Sequence, residues 1–326
     1  MLYMEPPKRT ERHVVAPRKL RRWRVALVLG MCAAVLFPGA EAKAQATSPS
    51  ESVSHAKVIL IAENASTPPG RPLWVGLLFQ LDPGWHIYWQ NPGDSGEPPK
   101  VQWALPPGFQ AGEIRWPVPI RLGSSSVIDY GYEGHVLLMV PIERSPGARG
   151  DSAIAADVKY VVCREICIPG KAHLTVSSPA GIDTASQASE WRKLFQEARA
   201  QLPRVAPANW KVSAQSGKND FYLTVAGVRP SRNVSFFPLR AGLIENSAEQ
   251  KVAARHDGFQ LSLRKSENFA GPASELAGIL VLDGRGFTVN ARVVSAYELT
   301  DRVICTEDFG CVRGWVQIKM QIRRNL

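Results

Sequence analysis

The sequence predicts an all-β protein made of two β-sandwich domains joined by a short helical linker. Short runs rich in β-branched and aromatic residues recur along the chain, and Pro/Gly-rich turn signals separate them at intervals of about 8–12 residues. An N-terminal segment of 46 residues leaves 280 of the 326 residues for the folded part. That length is typical of two domains of ordinary size.

The N-terminal segment has the composition of a secretory signal. Residues 1–46 hold nine Lys/Arg and three acidic residues, and the thirteen-residue apolar run Val25–Phe37 precedes a string of small residues. Thirteen residues are too few to cross a bilayer, which needs about 20. We therefore predict a signal peptide cleaved after Ala46 and a periplasmic mature protein, with a retained anchor as the alternative.

The signal segment also accounts for most of the net charge. Nine basic minus three acidic residues place +6 of the total of +10 in residues 1–46, so only +4 remains for the mature chain. A small, scattered excess of positive charge is typical of an ordinary solvated surface. The sequence shows no basic stripe and no nucleic-acid motif, so we predict no nucleic-acid partner.

The first domain is predicted over residues 53–180. Its strands are predicted at Lys57–Ala62, Leu73–Leu81, Trp85–Trp89, Val101–Leu105, Val136–Ile142, Val158–Val162 and His173–Val176. Turn signals lie between them at residues 83–84, 91–96, 106–108 and 169–170. The alternation within Trp85–Trp89 favours sandwich core for the aromatic cluster, with the lining of a groove as the alternative. This cluster consists of Trp85, Tyr88, Trp89, Trp103 and Trp116.

A helix and a second set of strands follow. Ser186–Leu202 has apolar residues at helical spacing and ends before Pro203, which predicts a helical linker within residues 184–204. The second domain is predicted over residues 205–326. Its strands are predicted at Trp210–Ser213, Phe221–Val225, Val234–Phe237, Phe259–Leu263, Gly278–Leu282, Phe287–Val294 and Trp315–Ile322.

The mature chain has four cysteines, and the pair Cys163 and Cys167 is the best candidate for its chemistry. An even cysteine count in an exported chain predicts two disulfides. Three residues separate Cys163 from Cys167, so a bond between them needs a tight loop or a helical turn, and Ile168–Gly170 supplies a reversal. Closing so short a loop stabilises the fold by only about 2 kcal/mol. A redox role, a structural bridge and a metal site remain open from spacing alone.

The second pair, Cys305 and Cys311, is predicted to face across a hairpin, because Glu307–Gly310 favours a turn. A structural bridge is the first interpretation and a second redox pair is the alternative. The sequence has no haem-attachment motif and no strong zinc spacing, so we predict no cofactor and no resident metal. A Cu(I) site made of Cys163, Cys167 and His173 is a further alternative.

Four motifs give the first domain a family resemblance. They are Trp85-His-Ile-Tyr-Trp-Gln-Asn-Pro-Gly-Asp-Ser-Gly96, Trp116-Pro-Val-Pro119, Tyr130-Gly-Tyr-Glu-Gly134 and Tyr160-Val-Val-Cys-Arg-Glu-Ile-Cys-Ile-Pro-Gly170. In this order, over about residues 55–178, they resemble the N-terminal periplasmic domain of the DsbD/ScsB thiol:disulfide interchange proteins.

The resemblance implies an immunoglobulin-like sandwich with Cys163 and Cys167 as its redox-active pair. It further implies a thiol-disulfide relay that takes electrons from a membrane-embedded thiol donor. The acceptors would be periplasmic thioredoxin-like proteins, such as disulfide isomerases, or proteins of cytochrome c maturation or copper tolerance. A cap that shields the pair is part of the family pattern, and Tyr130 and Tyr132 lie near the matching segment.

The chain also departs from the family pattern. Full-length members continue into a membrane domain and a thioredoxin-like domain, so we expect separate proteins to supply the electrons here. The best-known member spaces its pair by five residues, as Cys305 and Cys311 are spaced, so the redox role can also sit at that pair. The contrasting hypothesis is a non-catalytic periplasmic binding or scaffold module with structural disulfides and a role in copper handling.

Overall fold

The computed structural model describes residues 51–64, 70–124, 126–146, 152–178, 190–229, 231, 233–269, 271–295, 304–306 and 310–312. These residues all belong to one compact unit that spans residues 45–326. The predicted signal peptide, residues 1–46, lies outside the described residues. Within the compact unit the chain forms two β-rich parts with separate hydrophobic cores.

The first part is a sandwich of two antiparallel sheets. One sheet has the strand order β1-β2-β3-β9-β6, and the other has the order β11-β10-β4-β8-β7, with β5 paired to β10. The strands are β1 Glu51–Val53, β2 Ala56–Ala62, β3 Leu73–Leu81, β4 His86–Gly93, β5 Lys100–Ala104, β6 Phe109–Ala111, β7 Ile120–Ser124, β8 Val127–Glu133, β9 His135–Arg144, β10 Ser152–Cys163 and β11 Cys167–Ser178.

Alternating side chains from both sheets form the first core. On β4, Ile87 and Trp89 are buried in this core together with Trp85 just before the strand, as the aromatic alternation predicts. The intervening side chains of β4 lie on the opposite face, because successive side chains of a strand point to opposite sides of the sheet. The aromatic cluster is therefore mainly core, and the second face of β4 is left for other groups.

The helix lies against the first sandwich. α1 spans Arg192–Ala200 and buries Phe195 and Ala198 against the outer side of the first sheet, where Ile61 and Met139 lie. Arg199 also forms a two-pronged ion pair with the buried Glu63. The helix is shorter than predicted, and residues 186–189 lie outside the described residues. None of the helices within the described ranges has the length and apolarity to cross a membrane.

The second part is also built from β-strands around its own core. Its main sheet has the order β15-β18-β19-β13-β14-β17-β16, with β12 paired to β19. The strands are β12 Arg204–Val205, β13 Lys211–Ser216, β14 Asp220–Ala226, β15 Val234–Pro238, β16 Lys251–Arg255, β17 Gly258–Arg264, β18 Glu275–Leu282, β19 Arg285–Ser295, β20 Ile304–Thr306 and β21 Gly310–Val312. The long strand β19 joins the two halves of the sheet, and side chains from both halves share the core.

The two parts are packed tightly against each other. Phe237 of β15 is 4% exposed and belongs to the core of the first sandwich. Its ring contacts Trp89 at a centroid distance of 6.4 Å and Tyr130 at 5.1 Å, both edge to face. Asn91 donates a hydrogen bond of 2.7 Å to the carbonyl oxygen of Pro238. The second part therefore completes the hydrophobic core of the first.

The all-β fold class is confirmed, one local prediction is corrected, and one hairpin was missed. The predicted reversal at Pro169-Gly170 is wrong, since both residues lie within β11. β11 is an edge strand, where a proline costs no ladder hydrogen bond on its free side, and a side chain at Gly170 would collide with the ring of Tyr160. The hairpin β7–β8 was not predicted. The predicted strand Trp315–Ile322 lies outside the described residues.

Candidate functional site

The cysteine pair closes the end of the β10–β11 hairpin. The two strands pair from Ser152 opposite Ser178 to Cys163 opposite Cys167, and residues 164–166 make the turn. The amide of Arg164 donates a 3.1 Å hydrogen bond to the carbonyl of Ile166 within this turn. The Cα atoms of the cysteines are 4.2 Å apart and their sulfurs form a disulfide. The predicted tight loop therefore exists, with its reversal between the cysteines.

The two cysteines differ strongly in exposure. Cys163 is 2% exposed, whereas Cys167 is exposed together with all three turn residues. Ile166 in the turn is 65% exposed, and it is a large apolar residue beside the accessible cysteine. The hairpin end therefore presents one sulfur-bearing residue outward and keeps the other inside.

The side chains beneath the disulfide come from the face of the second sheet that points away from the core. His86 lies directly opposite Cys163 in the β4–β10 pairing, and Tyr88 follows on the same face. Asp129 of β8 is on this face too, because its neighbours Ile128 and Tyr130 belong to the core. All three side chains are nevertheless buried, at 8%, 0% and 7% exposure respectively.

The loop after β4 covers this face. Ser95 donates its amide to Asp129 Oδ1 at 2.9 Å and its hydroxyl to Asp129 Oδ2 at 2.8 Å. Gly96 has a positive φ of 65°, and a Cβ built there would lie 2.1 Å from the ring of Tyr88. Only glycine fits this close approach at that backbone angle. The loop therefore holds Tyr88 from above while Asp129 holds the loop.

Tyr88 connects the loop to the disulfide. Its hydroxyl lies 3.6 Å from Cys167 Sγ and 3.4 Å from Ser95 Oγ. Since the hydroxyl hydrogen of Ser95 is committed to Asp129, Tyr88 is the donor towards Ser95 or Cys167. Burial raises the pKa of Tyr88, and the hydrogen bond between Tyr88 and Ser95 only partly offsets this. Tyr88 therefore keeps its proton at neutral pH and can donate a hydrogen bond to a sulfur anion.

His86 is the other titratable group at the site. Its Nε2 lies 3.8 Å from Asp129 Oδ2, beyond hydrogen-bond distance, and has no hydrogen-bond partner among the described residues. Burial lowers the pKa of His86 below its usual value, although the nearby charges of Asp129 and Glu133 act in the opposite direction. The imidazole is therefore neutral at pH 7.

We expect the free energy of unfolding to decrease as the pH is lowered, because His86 becomes protonated more readily in the unfolded chain. Because its pKa is lower in the folded than in the unfolded protein, the unfolded chain binds this proton first as the pH drops below about 6.5. Urea unfolding at pH 7.5 and 5.5 should show a smaller loss of stability in His86→Gln than in the unaltered protein. Equal losses in both proteins would show that His86 takes no part in the pH dependence.

The tyrosines predicted as a cap are interior residues. The hydroxyl of Tyr130 donates to Asn246 Oδ1, and that of Tyr132 donates to the carbonyl of Pro117, each at 2.8 Å. Both rings belong to the first core, and burial raises the pKa of both phenols. The tyrosine hydroxyl that reaches the disulfide is that of Tyr88, which was not predicted. Its place in the Trp85–Gly96 motif and its alternation with core residues were the available signals.

The structure does not bring together Cys163, Cys167 and His173, the three ligands of the alternative Cu(I) site. His173 pairs with Asp157, six residue pairs along the hairpin from the cysteines, which corresponds to about 20 Å. Its Nδ1 lies 2.7 Å from Asp157 Oδ1. Within the described parts of the chain, no group of three or more His, Cys, Asp or Glu side chains is arranged to hold a metal ion. The distance arises because β11 continues straight through Pro169-Gly170.

The second cysteine pair is described only by its backbone. β20 and β21 form an antiparallel pair in which Cys305 lies opposite Cys311. This register matches the predicted hairpin. The disulfide between them, and any redox role, stay predictions.

Comparison with known proteins finds a family match and a structural match for this chain. Residues 57–179 match the family model described as the N-terminal part of the thiol:disulfide interchange protein DsbD. The structure is similar to the crystal structure of the N-terminal periplasmic domain of ScsB from Proteus mirabilis, with a TM-score of 0.58 and 20% identity. That alignment covers 76% of this chain and 98% of the ScsB chain. The sequence has no significant match among curated proteins.

The two comparisons cover different parts of the chain. The family match contains the first sandwich and the Cys163–Cys167 hairpin. The structural likeness covers 76% of 326 residues, more than the 123 residues from 57 to 179, so it also includes the second part of the fold. Residues 57–179 of this chain therefore match the DsbD N-terminal family of thiol:disulfide interchange proteins, and the likeness to ScsB shows a shared fold.

Proposed function

We propose that this protein is a periplasmic thiol-disulfide exchange protein that relays electrons through Cys163 and Cys167. The observation that carries the proposal is the asymmetric disulfide at the hairpin end, with Cys167 exposed and Cys163 buried. Its position inside a DsbD N-terminal domain supports the same role. Export through the predicted signal peptide would place the pair in the compartment where such exchange occurs.

The disulfide adds little to the stability of the β10–β11 hairpin. β10 and β11 already pair over twelve positions, so the two strands are held without it. A bond that closes so short a loop restricts the unfolded chain by only about 2 kcal/mol. A weak staple with one exposed cysteine is better suited to exchange than to stabilisation, because exchange requires access to a sulfur.

Reduction would begin at Cys167. A thiolate of the electron donor attacks Cys167 Sγ, the Cys163–Cys167 bond breaks, and Cys163 leaves as a thiolate that takes up a proton. The donor's second thiolate then attacks the donor sulfur of the mixed disulfide and releases Cys167 as a thiolate. Two electrons have passed to this protein, and the donor is left with a disulfide.

Oxidation reverses these steps with an acceptor. The Cys167 thiolate attacks a disulfide of a thioredoxin-like protein, and Cys163 then attacks Cys167 Sγ to release the acceptor as a dithiol. Tyr88 would donate a hydrogen bond to the Cys167 thiolate, which is a stronger acceptor than a neutral sulfur. Ile166 offers an apolar contact for either partner beside the reacting sulfur. We infer that the donor is a membrane-embedded thiol protein.

A redox titration tests the proposal. In a variant that lacks Cys305 and Cys311, the remaining pair should show a reduction potential between about −180 and −270 mV, the range of working exchange proteins. The matched variant lacking Cys163 and Cys167 reports on the second pair by itself. A potential below about −300 mV for Cys163–Cys167 would identify a structural bridge and favour a non-catalytic binding module.

A further inference from the structure

We propose that the second part of the fold (the second domain) tunes the reactivity of Cys167, with Asn246 as the positioning residue. This inference rests on the proposed role of the Cys163–Cys167 pair and extends it to the second part of the fold. The link is the segment Asp94–Gly96, which lies between Asn246 on one side and Tyr88 on the other.

Asn246 is a buried polar residue that reaches from the second domain into the first. It is 6% exposed. Its Nδ2 donates a 2.7 Å hydrogen bond to Asp94 Oδ1, and its Oδ1 accepts one of 2.8 Å from the hydroxyl of Tyr130. Arg121 donates to its carbonyl oxygen. Both halves of the side-chain amide are thus used on residues of the first domain.

The second domain holds Asn246 firmly. Leu243 and Ile244 just before it are 2% and 3% exposed and belong to the second core. The amide of Glu245 donates a 2.8 Å hydrogen bond to the carbonyl of Arg264. Asn246 therefore projects from an anchored segment, and its position is determined by the packing of the second domain.

In the first domain, a chain of contacts leads from Asp94 through Ser95 and Tyr88 to the sulfur of Cys167. Asp94 Oδ2 accepts the amide of Ile128 at 2.8 Å, and the Asp94 amide donates to the Ile128 carbonyl at 3.1 Å. The next residue, Ser95, is fixed by Asp129 and lies 3.4 Å from the Tyr88 hydroxyl. That hydroxyl is 3.6 Å from Cys167 Sγ.

The chemical consequence concerns the thiolate of Cys167. A hydrogen bond to an anionic sulfur is stronger than one to a neutral sulfur, so a well-placed Tyr88 hydroxyl favours the thiolate. If the Asp94–Gly96 segment loses its fixed position, the Tyr88 side chain is no longer held in place by Ser95 and Gly96. The Cys167 thiolate then loses the hydrogen bond that the Tyr88 hydroxyl donates. The charged and titratable side chains around the pair stay the same in such a variant. They are His86, Tyr88, Asp129, Glu133, Arg164 and Glu165.

The test measures alkylation of Cys167 by iodoacetamide across pH, in a background that carries Cys163→Ser, Cys305→Ser and Cys311→Ser. We expect Asn246→Ala to lower the rate at pH 7 about three- to tenfold through a raised thiol pKa. Tyr88→Phe should lower it by a similar factor. The double variant should fall no further, because both changes remove the same hydrogen bond.

Gln250→Ala is the matched control. Gln250 is also an amide residue of the second domain with two backbone hydrogen bonds, but both go to Phe236 within that domain. It should leave the alkylation rate unchanged. Asn246→Asp, which sets a carboxylate against Asp94 while keeping an acceptor for Tyr130, should reproduce the effect of Asn246→Ala if the alanine variant does not fold.

An unchanged rate in folded Asn246→Ala or Asn246→Asp, or additive effects of Asn246→Ala and Tyr88→Phe, would overturn the inference. Alkylation needs no partner protein and does not depend on the potential of the disulfide. The coupling can therefore fail while the redox titration supports exchange, and it can hold while the titration identifies a structural bridge.

Discussion

The variant Cys163→Ser is expected to accumulate mixed disulfides with the partner proteins. The variant keeps the exposed Cys167, which attacks a partner disulfide, but it lacks the thiol that resolves the mixed disulfide. The covalent complex should therefore accumulate and appear on non-reducing gels of periplasmic extracts. Turnover in an exchange assay should be lost, because neither single-cysteine variant can re-form the disulfide.

The reverse substitution should behave differently. Cys167→Ser leaves only Cys163, which is 2% exposed and lies behind the hairpin end. We expect its capture of partners to be lower than that of Cys163→Ser by on the order of tenfold, since reaction requires an accessible thiolate. The double variant Cys163→Ser/Cys167→Ser measures the background from the second pair. Equal capture by the two single variants would contradict the assignment of Cys167 as the attacking residue.

The second large effect is expected from Phe237→Ala. Removing a buried phenylalanine costs about 3–5 kcal/mol of unfolding free energy, and Phe237 is the second-domain ring that packs on Trp89 and Tyr130 in the first core. The loss should weaken the contact between the two domains as well as their stability. We expect urea unfolding, followed by tryptophan fluorescence and circular dichroism, to change from one transition to two.

Phe221→Ala separates these two consequences. Phe221 is fully buried, and it contacts Phe269 within the second core. Its removal should destabilise the second domain by a similar amount without removing a contact across the domain boundary. If Phe237→Ala lowers stability by less than about 1 kcal/mol, or unfolds in the same manner as Phe221→Ala, the packing of Phe237 does not couple the domains.

These predictions share one structural basis. The outer face of the second sheet of the first sandwich carries the cysteine pair, Tyr88 and Asp129, and the Asp94–Gly96 segment covers it. The second domain contacts this segment through Asn246 and the neighbouring core through Phe237. The second domain is therefore expected to influence the exchange chemistry through the hydrogen bond from Asn246 to Asp94.

Much of the fold was predictable because it depends on local patterns. The strand Leu73–Leu81 was predicted with the bounds that the structure has, and the strands of the second domain up to β19 that were predicted are found within a few residues. Continuous apolar runs between turn residues are strong local signals. The hairpin β7–β8 was missed, since β8 contains Asp129 and Gly131, residues that are depleted in strands. Burial against neighbouring strands outweighs that preference.

The sequence by itself determined the all-β class and the resemblance of residues 57–179 to the DsbD N-terminal family, and it predicted the cysteine pair as the chemical centre. These features depend on periodicity, on motifs and on the short spacing of Cys163 and Cys167, which are all local. Only the tertiary structure decided which cysteine is exposed, that Pro169-Gly170 continues an edge strand, and that Tyr88 meets Cys167. It alone brought Asn246 to Asp94 across 152 positions. Such contacts arise from packing between distant segments, and no local pattern encodes them.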